Sequence, residues 1–182
     1  MLRGSSAPLR SGNVCRPRIE GTAHPRVEIC ANARYARVMR SRDVVIEPIA
    51  GDLLAFAQCC ALDATVFPHS SLPADSTHAV VVARASEGAS VIGFAATQRL
   101  GRRLAIIGLA VAPKHRRHGL GGALLRCVMA RAEALDLREV GLHVAVKNAA
   151  AIALYEREGF RPVRRLPGFY RSGDAWEMVK RT

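Results

Sequence analysis

Between Val111 and Leu125 the chain reads VAPKHRRHGLGGALL, an apolar run that gives way to a basic, glycine-rich turn and then to the first residues of a helix. That order of residue types makes an anion site. The first amides of a helix have no intrahelical acceptor, the helix dipole is positive at that end, and glycines let the backbone approach a phosphate closely. Spacing excludes two familiar versions. A dinucleotide fingerprint needs a third glycine where this chain has Leu124, and a Walker A loop needs Gly-Lys followed by Ser or Thr, which the sequence lacks. The glycines therefore predict a phosphate-bearing ligand of another kind.

The elements that must position this turn follow from periodicity. VVIEPI (44–49), HAVVVAR (78–84), SVIGFAATQR (90–99), RLAIIGLAVA (103–112), EVGLHVAV (139–146), FRPVRRL (160–166) and AWEMVKR (175–181) read as strands. SEGA between the second and third is a hairpin signal, and the isolated Gly108 marks a bulge or a close backbone approach. Three helices are expected. LLAFAQCCALDATVF follows Asp52 as N-cap, and GGALLRCVMARAEALD places Leu124, Val128, Ala132 and Leu135 on one face. AAAIALYERE is capped by Asn148 and ends at Gly159. Strands and helices interleave, so residues 44–182 read as one α/β domain.

Residues 1–43 show neither period and are rich in Arg, Ser, Gly and Pro; they read as a flexible basic extension outside that domain. Arg-rich and acid-poor, they loosely resemble a transit peptide but have no clear amphipathic face, and Met39 offers an alternative start. The net charge of +12 divides evenly, +6 on residues 1–43 and +6 on the rest. The domain's share suits an anionic ligand as well as a polyanion, and aromatic residues at 5% leave little for base stacking, which argues against nucleic acid. No apolar run reaches the roughly 18 to 20 residues of a membrane span. Five cysteines without ligand spacing predict no metal and a reducing, cytoplasmic setting.

The hexad Arg116-Arg117-His118-Gly119-Leu120-Gly121 resembles the R/Q-x-x-G-x-G/A pyrophosphate loop of the GNAT acetyltransferase superfamily. It follows LAVAP, similar to the family's fourth strand, and precedes the ALL that opens its long helix. About thirty residues on, NAAAIALYEREGF (148–160) resembles the family's NxxAixLYexxGF signature. The resemblance runs from about Val44 to Arg181. ALDATVFPHS and RRLPGFYRSGDAWEM resemble the first helix and closing hairpin of the ribosomal-protein alanine acetyltransferase type. LHVAVKN is similar to the fifth strand of N-terminal acetyltransferases. PHSSLPADST leaves no room for the full second helix expected in the family.

This resemblance implies a single mixed, mostly antiparallel sheet, splayed between its fourth and fifth strands and flanked by helices, and it implies acetyl-coenzyme A as co-substrate. The backbone of Leu109, Ala110 and Val111 would pair with the pantetheine arm, and a bulge near Gly108 or Leu109 would aim an amide at the acetyl carbonyl. Amides from Arg117, His118, Gly119, Leu120, Gly121 and Gly122 would take the pyrophosphate, with the Arg116 and Arg117 side chains adding charge-assisted contacts. Asn148 would cap its helix and touch the coenzyme. Tyr155 would protonate the departing thiolate. The position of the family's fourth-strand glutamate is Ala105 here; some N-terminal acetyltransferases instead use a fifth-strand histidine to take the amine's proton, directly or through water, and the resemblance implies that role for His143. Helix and strand patterns alone read Tyr155 as a core tyrosine and His143 as a structural histidine.

The expected function is transfer of acetyl to a protein or peptide N-terminal α-amine, directly, within a ternary complex. A weak base favours that acceptor over lysine: an α-amine at about 7.7 to 8.0 is partly neutral at pH 7, and a lysine at about 10.4 is not. The rival readings are acetylation of a small-molecule amine, and a coenzyme- or nucleic-acid-binding module without turnover.

Overall fold

The structure is a computed structural model that describes residues 28–31, 37–41, 44–49, 51–67, 72, 78–85 and 90–182. From residue 44 onward it contains the expected strands: β3 (Val44–Ile49), β4 (His78–Ala85), β5 (Val91–Leu100), β6 (Arg103–Val111), β7 (Glu139–Ala145), β8 (Arg161–Tyr170) and β9 (Gly173–Arg181). Two further strands, β1 (Glu28–Ala31) and β2 (Arg37–Ser41), fall within residues 1–43, and β2 pairs antiparallel with β3. The rest of that segment, SEGA, and PHSSLPADST apart from Leu72 lie outside the described residues.

The sheet runs β1-β2-β3-β4-β5-β6-β7-β9-β8, antiparallel throughout except where β6 meets β7. That parallel pairing extends from Arg103↔Glu139 to Ile106↔Leu142 and stops. Beyond it, Ile107–Val111 and His143–Ala145 part into a fork. Each keeps its outer neighbour, β5 for the first and β9 for the second.

Two local features set the fork. Opposite β5, Ala96 pairs with Gly108 and Thr97 with Ile106, so Ile107 is an extra residue that bends β6 where it leaves β7. The bulge predicted near Gly108 is thus one residue earlier. Gly108 serves close packing instead: a Cβ there would lie 3.0 Å from Leu72 Cδ2 and 3.1 Å from Phe94 Cε2. At the base of the fork the Arg103 guanidinium lies across Gly141, where any Cβ would overlap it, and pairs with Glu177 at 2.8 Å and Glu139 at 3.6 Å.

Helices cover the two faces. α1 (Leu53–Val66) packs on β4, β5 and β6; Asp52 caps it by accepting from the Ala55 amide at 2.8 Å, and Gln58 Oε1 accepts from the Val91 amide. On the other face lie α2 (Leu120–Ala134) and α3 (Ala149–Arg157). Leu124, Val128 and Ala132 are fully buried there with Leu104, Val140, Phe160 and Met178. Each buried leucine or valine removes its side chain from water at a gain of about 1.5–3 kcal/mol, so this stripe fixes α2 on the sheet and its first turn at the mouth of the fork.

Candidate active site

A groove of about 1590 Å³ follows the fork on the α2/α3 side. One wall is the free edge of β6, with Leu109, Ala110 and Val111; the end is the turn Arg116 to Gly122; the far wall is α3, with Asn148 and Tyr155. Every residue that the sequence marks for the coenzyme lines this one groove. His143 does not.

The turn has the geometry its glycines predict. After a 3-10 turn at Pro113–His115, the backbone passes through positive φ at Arg117 (67°) and Gly119 (79°) before entering α2. No side chain caps Gly119, and α2 carries no acid in its first turn, so its leading amides have no side-chain partner. Gly121 lets α3 close in: a Cβ there would lie 2.9 Å from Leu154 Cδ2. Arg116 Nε donates to the Val111 carbonyl at 3.0 Å, tying the turn to the end of β6. Arg117 and His118 are exposed.

Asn148 caps α3 through its side-chain oxygen, which accepts from the Ala151 amide at 3.2 Å. The helix presents Tyr155 to the groove, its ring edge-on to Phe160 at 5.9 Å. Burial, reinforced by the nearby Tyr170 phenol, pushes the Tyr155 hydroxyl up to about 12, so it holds its proton across the physiological range.

Strand alternation puts Leu142 and Val144 into the core beneath α2 and α3 and turns His143 to the opposite face. There its ring packs against Phe169, tilted by 46° with centroids 4.5 Å apart. Desolvation holds its pKa below the ordinary histidine value, only partly countered by Glu177 and assisted by Arg103 and Arg164. The imidazole is neutral at pH 7 and able to accept a proton. Ala105 is half-buried within the paired part of β6, and Glu158 is the one carboxylate among the described residues of the groove.

Tyr170 was not singled out from sequence as a site residue. It stands at the tip of the β8–β9 hairpin, half-buried, and its hydroxyl donates to the His143 carbonyl at 3.2 Å, where β6 and β7 have already parted. It thus links the two faces, bonding to β7 and acting electrostatically on Tyr155. Its place in a tyrosine-containing hairpin was visible; its approach to residues 15 and 27 positions away was not.

The acetyltransferase (GNAT) family model matches residues 51–160, more than half of the chain. The chain belongs to this family. Among curated relatives of this GNAT chain, an N-alpha-acetyltransferase from Sulfurisphaera tokodaii is 41% identical over 41% of the chain and 46% of the relative. The ribosomal protein bS18-alanine N-acetyltransferase of Escherichia coli is 34% identical over 50% of the chain and 62% of the relative. The chain thus matches about half to three-fifths of these relatives' lengths. The crystal structure of the Escherichia coli ribosomal-protein-S18-alanine N-acetyltransferase superposes with a TM-score of 0.62 at 25% identity, over 76% of this chain and 93% of that one. Arabidopsis thaliana NAA60 in complex with acetyl-CoA shares the fold, with a TM-score of 0.66 at 22% identity over 76% and 98%. Among the described residues no helix is long and apolar enough to cross a membrane, and no cluster of metal-ligating side chains occurs.

The burial of Tyr155 gives a pH prediction. An exposed phenol ionises near pH 10, so tyrosine carbon NMR should show Tyr155, assigned with Tyr155→Phe, still protonated at about pH 10.5. Ionisation near 10 would place its hydroxyl in open water.

Proposed function

We propose that the protein is an acetyl-coenzyme A-dependent N-acetyltransferase acting on the α-amine of protein or peptide N-termini, by direct transfer within a ternary complex. The observation that carries this reading is the fork itself. It joins a free strand edge, an uncapped helix N-terminus and a protonated phenol in one groove on one face, and opens at Tyr170 toward a neutral histidine on the other. The cradle suits the coenzyme: nothing stands within 4 Å of where a Cβ on Gly119 would lie, while Lys114 and Arg117 supply positive charge. The names of both curated relatives support an α-amine acceptor.

When bound, the coenzyme supplies the thioester that the amine attacks. The unpaired edge of Leu109–Val111 offers its backbone to the pantetheine amides as an added strand would. The bulge at Ile107 turns the following amides toward the fork, where a donor can stabilise charge gathering on the acetyl oxygen. As the carbon–sulfur bond breaks, the Tyr155 hydroxyl gives its proton to the leaving sulfur. His143 takes the proton released by the amine, directly or through water. Among the described residues the groove's one carboxylate, Glu158, is paired with Arg126, and an α-amine, already partly neutral, needs least help.

A peptide library with randomised first residues, read by mass spectrometry, should yield products acetylated at the α-amine, with Tyr155→Phe slowing turnover by about 10²- to 10⁴-fold while coenzyme affinity stays near wild type. Coenzyme binding without peptide acetylation would instead direct the site to small amines. Because His143 is held below the ordinary 6.5, the acid limb of the rate profile should fall below pH 6.5 and disappear in His143→Ala. An unaltered profile would leave His143 a purely structural residue.

A further inference from the structure

At the phosphate end of the groove, one contact works against the charge around it. Glu158, the last residue before the Gly159 turn (φ 91°), sets its carboxylate against Gly122 in the first turn of α2. It fills the space above Gly122, where any Cβ would overlap Glu158 Oε1 and lie 3.2 Å from Arg126 Nη1. There Arg126 Nη1 donates to Glu158 Oε1 at 3.0 Å. The carboxylate side chain is only 15% exposed, and Arg126 is 49% exposed. The Glu158 backbone is held independently, since its carbonyl accepts from Lys180 Nζ at 2.8 Å and its amide donates to the Leu154 carbonyl.

A carboxylate in that place does what an incoming phosphate would do. It sits in the positive field at the start of α2 and neutralises a groove arginine. We propose that the Glu158–Arg126 pair is an internal anionic stopper over the α2 N-terminus, which the coenzyme's phosphates must displace, Arg126 exchanging the carboxylate for phosphate. The pair thereby weakens coenzyme binding and speeds its release, which favours turnover once acetyl has moved. Gly122 is what admits the stopper. The inference rests on the coenzyme reading above.

Isothermal calorimetry with coenzyme A tests it on the full chain. Glu158→Gln keeps the side-chain length and removes the charge; it should tighten binding by roughly three- to tenfold at low salt, with the gap closing as salt rises. Gly122→Ala should also tighten binding, because its methyl displaces only the far end of the Glu158 side chain. Glu156→Gln removes the same charge from an exposed position on α3 and should leave affinity unchanged. No tightening in either of the first two variants, or equal tightening in the third, overturns the stopper. A wild-type chain that binds no coenzyme at all overturns the coenzyme reading with it, whereas wild-type binding that Glu158→Gln leaves unaltered removes the stopper alone.

Discussion

The parting of β6 from β7 after Ile106 and Leu142 is the constraint on which the site depends. A sheet can leave two strand edges unpaired only if something holds the strands together below and bends them apart above. Below, Arg103 lies flat on Gly141 and ties β6 to Glu139 of β7 and Glu177 of β9, so the charge cluster spans three strands at the hinge. Above, the extra residue Ile107 turns β6 away, while β7 stays straight on β9 through Ala145↔Ala175. The free backbone groups thus exposed face the groove.

The two faces of the fork carry opposite chemistry. On the α2/α3 side, uncapped amides, exposed basic residues and a buried, protonated Tyr155 suit an anionic thioester and its leaving sulfur. On the other side, His143, Phe169 and the ion pairs around Glu177 form a partly aromatic, polar surface. Tyr170 stands between them. The direct transfer proposed above needs the reacting atoms of donor and acceptor held at contact distance, and the gap between β6 and β7 is where the two faces communicate.

Much of this was legible in the chain. Local signals carried the helices: Asp52 and Asn148 cap where they were expected to, Gly159 ends α3, and Leu124, Val128 and Ala132 bury the predicted face. The glycine turn was legible because helix-terminal anion binding is itself a local property. What escaped were contacts between distant positions. Arg103 on Gly141, Tyr170 on the His143 carbonyl, and Arg126 with Glu158 each join elements far apart in sequence, and no periodicity marks them. Arg116, expected to add charge at the phosphate turn, lines the groove and also ties the turn to Val111 through its Nε, a bond that spacing does not mark. The bulge fell at Ile107 because bulges are defined by register against a partner strand, here Ala96 and Thr97.

The central claim is that one groove on the α2/α3 side receives the coenzyme along β6 and at the turn before α2. Amide hydrogen exchange followed by mass spectrometry, with and without coenzyme A, tests it directly. The account predicts slowed exchange in peptides covering residues 109–122, with the β8–β9 hairpin unchanged. Protection confined to that hairpin, or none in 109–122, would contradict it.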